Sequence, residues 1–324
     1  MTVATRRFLP LTLLALALPL LLAACSGGSS GRKFPDVVEL KATDILPVLA
    51  TSEVVVGPNR LVFGVLDEEG LPIVDAKVRV AFYDLNDGQE VKKEELDAVS
   101  RVPARDAGLT EQVQHVHADG TMHTHVNAGD EIGVYTVVAS FDRPGLWGAE
   151  LRVEAESPKL TKTLHLRFNV LAQGSTPAIG SPAPRSRNRT VADVTDLSLI
   201  DSSTTPSPEM HTTTVADAIA AGRPALVLFA VPGYCSSRLC GPELEIMRNL
   251  YPRYKGRAEF IHVEFYERPG DPNSPPVAAV REWSLRTEPW FFVIDAKGVV
   301  SAKFEGPTSL QELDEALGEV TSNK

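Results

Sequence analysis

The chain has 324 residues, of which 43% are apolar, 23% are charged and 6% are aromatic, and its formal net charge at pH 7 is −10. This composition excludes a wholly disordered chain and a membrane protein with many spans, and the length predicts two domains or three. The acidic balance argues against a nucleic-acid partner, because phosphate binding needs a basic face.

The first 25 residues have the pattern of a secretory signal. Arg6 and Arg7 precede an apolar run over residues 8–22, and residues 22–25 read Leu-Ala-Ala-Cys. A basic start, a short apolar stretch and small residues before a cleavage point are typical of such signals. The run is shorter than the roughly 20 apolar residues of a transmembrane helix, and an uncleaved membrane anchor is the alternative.

The Leu-Ala-Ala-Cys ending resembles the lipobox of bacterial lipoproteins. The resemblance implies that residues 1–25 are a lipoprotein signal with its lipobox and that Cys25 becomes the acylated first residue after cleavage. It also implies a protein held at the cell membrane by lipid and facing the extracytoplasmic side. Cleavage would remove two arginines and no acidic residue, so the formal charge would become −12. Residues 26–36, which begin Ser-Gly-Gly-Ser-Ser-Gly, are predicted to form a flexible tether.

Residues 37–171 are predicted to form an all-β domain. Short runs in this region alternate apolar and polar residues or are rich in Val, Phe and Thr, and Gly, Pro and Asn residues separate them. The spacing favours an immunoglobulin-like sandwich. The predicted strands cover residues 60–66, 76–83, 133–141, 147–154 and 160–170. Within this region, the sequence YTVVASFDRPGLWGAELRV at residues 135–153 resembles small periplasmic YtkA-like modules.

Residues 172–189 are rich in Pro, Ser and Gly and are predicted to form an interdomain linker, after which residues 190–324 alternate strands and helices. This order implies an α/β domain whose sheet carries helices on both faces. The predicted strands cover residues 225–231, 259–265, 290–295 and 299–304, and the predicted helices cover 215–221, 276–285 and 310–320, with one more beginning at Pro242.

Two cysteines mark the start of that helix. Cys235 and Cys240 directly follow the buried strand predicted over residues 225–231. The positive end of a helix dipole and the charge of Arg238 both favour thiolate over thiol. Because Cys25 is assigned to lipid, these two cysteines are left as a pair, and a disulfide persists in an oxidising extracytoplasmic setting.

The order of strand, cysteine pair and helix, followed by Glu-Pro-Trp-Phe-Phe-Val-Ile-Asp at residues 288–295, resembles the thioredoxin fold and is most similar to the TlpA/ResA-like extracytoplasmic thioredoxins. The resemblance extends from about residue 193 to the C-terminus. It implies a thioredoxin-like fold in which Cys235 is the exposed attacking cysteine and Cys240 the buried resolving cysteine. It further implies that Pro289 is a cis-proline facing them.

The chain departs from this family at three points. The cysteines have a C-x-x-x-x-C spacing in place of C-x-x-C, Tyr234 stands where the family usually has Trp, and Glu288 stands where a neutral residue is usual. A negative Glu288 would oppose thiolate formation. The alternatives to redox activity are a structural disulfide and metal binding by the pair. Against metal binding by the pair, residues 286–289 contain no histidine, whereas Sco-type copper chaperones have one at this place. His262 lies inside a predicted strand.

Two His-x-His units flank a short turn. A two-residue turn at 119–120 would place the two units on opposite faces of the hairpin. A three-residue loop at 118–120, with Gly120 in the left-handed conformation, would pair the units on one face, and we expect this loop. Clustered imidazoles suit copper or zinc, and the alternatives are a solvated hairpin and a pH-sensitive surface. The four candidate ligands are His115, His117, His123 and His125, whereas His165 and His211 are isolated and are predicted to be structural.

Together these patterns predict a lipid-anchored extracytoplasmic protein with thiol–disulfide oxidoreductase-like chemistry at Cys235 and Cys240. Its client would be a disulfide-containing or metal-binding extracytoplasmic protein. The alternative is a copper- or zinc-binding or metal-delivery lipoprotein that uses the histidine hairpin and is not an enzyme. The sequence therefore leaves enzymatic activity open and makes no cofactor certain.

Overall fold

The computed structural model describes residues 33–35, 44–109, 113–116, 122–125, 132–156, 159–235 and 238–322. The chain divides into two units, Met1–Arg32 and Lys33–Lys324, and every element below belongs to the second. Among the described residues, no helix is long and apolar enough to cross a membrane. Cys25 and the predicted signal lie outside the described residues.

The first part of the second unit consists almost entirely of strands. In chain order its elements are β1 (Leu46–Leu49), β2 (Gly57–Leu66), β3 (Lys77–Asp84), β4 (Val91–Asp97), β5 (Val99–Arg101), α1 (Pro103–Asp106), β6 (Val113–Val116), β7 (Met122–His125), β8 (Val134–Phe141), β9 (Gly145–Glu156) and β10 (Lys159–Val170).

These strands form two four-stranded antiparallel sheets, ordered β1-β2-β8-β5 and β10-β9-β3-β4, and a separate β6-β7 hairpin. One apolar core contains residues of both four-stranded sheets, as in a sandwich. In it the ring of Phe141 lies 4.8 Å from that of Trp147 and 5.5 Å from that of Phe82, both in edge-to-face geometry. The predicted all-β domain is confirmed, because alternating apolar residues supply the inner faces of both sheets.

The second part combines strands and helices. After two 3-10 turns, Leu197–Leu199 and Pro208–His211, its elements are α2 (Val215–Ala220), β11 (Ala225–Ala230), α3 (Cys240–Tyr254), β12 (Glu259–Glu264), α4 (Ala278–Glu282), β13 (Trp290–Ile294), β14 (Val300–Glu305) and α5 (Leu310–Thr321).

The four strands form one mixed sheet in the order β12-β11-β13-β14. β11 runs parallel to β12 and antiparallel to β13, which in turn pairs with β14 as an antiparallel hairpin. All six residues of β11 are buried, as its unbroken apolar run predicts for a central strand. The helices α3 and α5 contact each other and this sheet.

Two helices differ from their predicted bounds by more than one residue. α3 begins at Cys240, so that Cys240 lies in its first turn and Pro242 lies inside it. α4 covers Ala278–Glu282 only, whereas the sequence predicts a helix over 276–285. It starts late because Val277 has extended backbone, with a φ of −62° and a ψ of 162°, and serves as the residue before the first helical turn. It ends early because Ser284 has a φ of 56°, which is outside the helical region.

Residues 172–189 connect the two parts and are held by specific contacts. Glu53 accepts hydrogen bonds from the Ser175 amide and hydroxyl and from the Thr176 hydroxyl. The amide of Ala183 donates to the carbonyl of Gly298 over 2.9 Å. Ser186 is 1% exposed and accepts a bond from Trp283 Nε1 over 3.0 Å. The segment therefore packs along the second part rather than spanning a gap as a free linker.

Candidate functional site

The cysteine pair lies where β11 meets α3. The loop from β11 to α3 passes close to a neighbouring segment at Gly233, where a β-carbon would lie 2.2 Å from the carbonyl oxygen of Ser202. The loop then turns at Cys235, whose carbonyl accepts a 3.0 Å bond from the amide of Arg238. Arg238 has a φ of 58°, and α3 begins two residues later. Cys240 thus lies in the first helical turn, and Cys235 lies in the loop before it.

Cys235 and Cys240 approach each other as two thiols. No disulfide joins them, and their side chains share a hydrogen bond. Cys235 is 8% exposed and Cys240 is fully buried. Burial raises the pKa of the Cys240 thiol well above its usual range, and the hydrogen bond and charge of Cys235 raise it further. Cys240 is consequently held as a thiol at neutral pH, and Cys235 is the cysteine nearer to solvent.

A carboxyl group and a phenol lie close enough to the pair to interact with it electrostatically. The peptide bond between Glu288 and Pro289 is cis. Burial, together with the charge of Cys235, raises the pKa of Glu288 to about 7. Burial and the charges of Glu288 and both thiols raise the pKa of Tyr266. The arrangement places a carboxyl that exchanges its proton near neutral pH beside a pair of thiols, which is chemistry that thiolate reactions use.

The backbone of the histidine hairpin pairs His115 with His123 and Val113 with His125. This is the register that the three-residue loop predicts. Residues 117–121, which include His117, lie outside the described residues, and the side chains of β6 and β7 are likewise not described. The proposed metal site of the hairpin therefore stays a prediction.

His165 occupies a position in the sandwich that fits the structural role predicted for it. Its Nε2 lies 3.2 Å from Glu150 Oε2, and its ring lies edge-to-face against Phe34 at 5.2 Å.

His211, which the sequence predicts to be isolated, and His262, inside a predicted strand, meet in one buried cluster. His211, at the end of a 3-10 turn, and His262, in the middle of β12, have ring centroids 5.1 Å apart. His211 Nε2 lies 3.4 Å from Asp201 Oδ2. Burial lowers the pKa of His262 to about 4. Burial raises the pKa of Asp201, but hydrogen bonds and the charge of His262 outweigh this and lower it.

This cluster has no local sequence signature, because its members come from three separate segments. The one available signal is His262 itself, a polar residue in the otherwise apolar centre of β12, where a buried ring needs a partner.

Comparisons with known proteins assign no family. No family model matches the chain, and no curated protein matches its sequence. One solved structure that it resembles is the PKD domain from the human VPS10 domain-containing receptor SorCS2. The match has 15% sequence identity and a TM-score of 0.18, and it covers 46% of this chain and 98% of that one.

The inferred relationship to the TlpA/ResA-like thioredoxins and to YtkA-like modules is wrong. The resemblance rested on a few short motifs, and no family model matches the chain. The structure is mostly β-sheet, with 20% helix in five short helices in the part that is described. Roles for Cys235, Cys240 and Pro289 can therefore rest only on the geometry above.

Proposed function

We propose that the protein carries out thiol–disulfide exchange through Cys235 and Cys240. The observation that carries this proposal is the hydrogen bond between two adjacent thiols of unequal burial, beside a carboxyl group whose pKa lies near 7. A purely structural disulfide requires no such carboxyl, and the buried charge is costly unless it has a use.

In the reducing direction, the Cys235 thiolate attacks one sulfur of a client disulfide. The client S–S bond breaks, a mixed disulfide forms and one client thiolate leaves. Cys240 then loses its proton and attacks the sulfur of Cys235, which releases the second client thiolate and forms the Cys235–Cys240 disulfide. Two electrons pass from the pair to the client. Glu288 is placed to take up and return a proton during these steps, because its pKa is close to 7.

The test is a trapping experiment in a Cys25→Ser background, where the pair supplies the remaining thiols. With Cys240→Ser, the mixed disulfide with a model client should accumulate, because the resolving thiol is missing. With Cys235→Ser, it should not form. The reduction potential of the pair is measured in parallel. A value below about −300 mV together with no trapped client would establish a structural disulfide and contradict the proposal.

The histidine hairpin supports a second candidate function, metal binding or delivery without catalysis. The observation in its favour is the pairing of His115 with His123. Titration with Cu²⁺ and Zn²⁺ should show binding that is lost in the double variant His115→Ala, His117→Ala and kept in His165→Ala. Equal binding in all three proteins would contradict this candidate.

We infer that the protein is anchored by lipid at Cys25 and faces the extracytoplasmic side, where clients with disulfides or metal-binding cysteines occur. The support is the Leu-Ala-Ala-Cys sequence at residues 22–25. Wild-type protein should fractionate with membranes, and Cys25→Ser should release it or leave it unprocessed. Soluble wild-type protein with an unmodified Cys25 would contradict this inference.

We also infer that the sandwich is an immunoglobulin-like module. The support is its two antiparallel sheets around a buried Trp147. An experimental structure of the sandwich tests this class, and a strand order other than that described here would contradict it.

A further inference from the structure

Asp201, His211 and His262 bring three metal-binding side chains together inside the second part of the chain. One potential ligand atom from each lies within 4.8 Å of the others. All three are buried, with 0–1% of each residue exposed. Asp201 and His211 are 10 residues apart and His262 lies on β12, so their meeting is a product of the fold and not of a local acidic or histidine-rich stretch.

The imidazole groups of this cluster have unused ligand capacity. Among the described residues, His211 Nδ1 and His262 Nδ1 are buried without a hydrogen-bond partner. The remaining ring nitrogens make only long contacts, with 3.4 Å from His211 Nε2 to Asp201 Oδ2 and 3.4 Å from His262 Nε2 to the carbonyl of Ala230. Because buried polar atoms in proteins are normally paired, two orphaned ring nitrogens in one cluster indicate a missing ligand.

The carboxylate is held in place in the way that metal ligands are. Asp201 accepts bonds from the amide of Ser203 at one oxygen and from the amide of Ser207 at the other, over 3.0 and 2.8 Å. Arg248 Nη2 lies 4.0 Å from Asp201 and is the one competing cation among the described ion pairs of this residue. Its guanidinium is also paired with Glu245, so the charge of Asp201 is only partly neutralised.

We propose that Asp201, His211 and His262 bind a divalent transition-metal ion, for which Zn²⁺ is the best match to the donor set. Two imidazoles and one carboxylate are a common ligand set for zinc. Ligand atoms lie about 2.0–2.2 Å from zinc, so two of them around one ion are at most about 4.4 Å apart and the cluster needs only a small contraction.

The ion would link the segment at Asp201 to β12. Through Ser202, the next residue, it would also stabilise the loop between β11 and α3 that contains Gly233. Ser202 accepts a 3.1 Å bond from the amide of Gly233 and donates its own amide to Glu264 over 2.8 Å. Metal binding would therefore stabilise the loop that leads to Cys235. This role does not depend on the proposed exchange chemistry, because it requires no reaction of either cysteine.

The test uses the full chain in a background that removes the other candidate ligands. The substitutions are Cys25→Ser, His115→Ala, His117→Ala, His123→Ala, His125→Ala, Cys235→Ser and Cys240→Ser. Because the site is buried, Zn²⁺ or Co²⁺ is supplied during refolding and the excess is removed by gel filtration. We expect about one ion per chain, a melting temperature higher than that of the protein refolded with chelator, and a Co²⁺ visible spectrum typical of tetrahedral nitrogen and oxygen ligands.

Three variants in this background decide the outcome. Asp201→Asn and His262→Gln should each lose the bound ion and the rise in melting temperature, whereas the matched control His165→Gln should keep both. Circular dichroism of the metal-free proteins identifies a variant that does not fold. Asp201→Asn is the variant expected to fold, because it keeps the size and shape of the side chain. Metal content below about 0.1 per chain in the background protein, or equal affinity in Asp201→Asn and the control, would overturn the proposal.

Discussion

The carboxyl group of Glu288 and the thiol of Cys235 lie close enough for the charge on one to oppose the charge on the other. Burial and this repulsion together raise the pKa of Glu288 to about 7. By the same interaction, an ionised Glu288 disfavours the Cys235 thiolate. The protonation state of this carboxyl is thus coupled near neutral pH to that of Cys235, the cysteine nearer to solvent.

Replacing Glu288 by Gln should therefore make Cys235 more reactive above pH 7. In the wild type the carboxyl is negative there and opposes the thiolate, whereas Gln is neutral at every pH. Below about pH 6 the two proteins should react alike, because Glu288 is then protonated. The measurement is the rate of iodoacetamide labelling of reduced Cys235 from pH 5.5 to 9.

The matched control for this experiment is Glu315→Gln, an exposed carboxyl on α5. It should leave the labelling profile unchanged. If Glu288→Gln and Glu315→Gln give the same profile as the wild type, then Glu288 does not influence the cysteine pair.

A second prediction concerns the turn between β8 and β9. Arg143 binds Asp84 through two bonds, with 2.7 Å from Nε to Oδ2 and 3.1 Å from Nη2 to Oδ1. Burial raises the pKa of Asp84, but the bonds from Arg143 and Asn86 outweigh it and lower the pKa to about 2. Because the folded pKa is depressed, this group stabilises the fold above about pH 4, and the stabilisation is lost as the pH falls towards 2.

Asp84→Asn should accordingly lower the free energy of unfolding by about 1–2 kcal/mol at pH 7. The loss is no larger because solvent around the half-exposed Arg143 weakens its attraction to Asp84. The difference from the wild type should shrink as the pH falls from 4 to 2. Urea denaturation at a series of pH values measures it. Asp142→Asn, which alters an exposed ion pair with Lys93, should cost less than about 0.5 kcal/mol. A pH-independent difference for Asp84→Asn would contradict the assignment.

The strands were predictable from the sequence where one face of the strand, or both faces, are buried. The alternation of residues 60–66 and 76–83 indicated β2 and β3, and the apolar run at 225–231 indicated β11, because each pattern reflects which faces are covered. β4 was missed because its sequence, VKKEELD, is mostly charged. It lies at the edge of its sheet, where backbone pairing to β3 fixes a strand that exposes most of its side chains.

The candidate sites were predictable only where their residues are close in sequence. Cys235 and Cys240 are five residues apart, and the two His-x-His units share one hairpin, so each was found from spacing. Asp201, His211 and His262 meet through the packing of a turn against β12, which no local pattern encodes. Composition likewise identified residues 172–189 as a connection but could not indicate the contacts of Glu53 and Ser186 that hold it.

A third prediction follows from those contacts. Arg185 and Arg187 are exposed and would be rapid trypsin sites in a free linker. We expect slow cleavage there, because Ser186 between them is buried and bonded to Trp283 and Glu282. Ser186→Ala should accelerate cleavage several-fold, since it leaves both partners without that hydroxyl.

The cleavage sites and rates are read by mass spectrometry of timed digests. Ser181→Ala, which removes an exposed hydroxyl of the same segment, is the control and should digest at the wild-type rate. Rapid wild-type cleavage after Arg185 or Arg187 would show that the segment is not held as described.

The last prediction concerns the contact between the sandwich and the second part. Arg60 on β2 binds Glu312 on α5 with 2.8 Å from Nε to Oε1, and its Nη1 donates to the carbonyl of Glu305 over 3.2 Å. The side chains of Arg60 and Glu312 are only 10% and 21% exposed. Burial raises the pKa of Glu312, but the charge and bonds of Arg60, helped by the Ser309 amide and the charge of Arg101, outweigh it and lower the pKa, so the carboxylate stays ionised.

Arg60→Ala should lower the free energy of unfolding by about 2 kcal/mol, because a largely buried carboxylate loses its nearest cation and keeps only the bonds from Ser309 and the charge of Arg101. It should also split the denaturant transition, with tryptophan fluorescence reporting separate unfolding of the sandwich and the second part. Combining Arg60→Ala with Glu312→Gln should recover part of the loss, since the unpaired charge is then removed. Arg79→Ala, which removes an exposed ion pair with Asp97, is the control and should cost less than about 1 kcal/mol. Equal costs for Arg60→Ala and Arg79→Ala, with a single transition in both, would show that the contact does not couple the two parts.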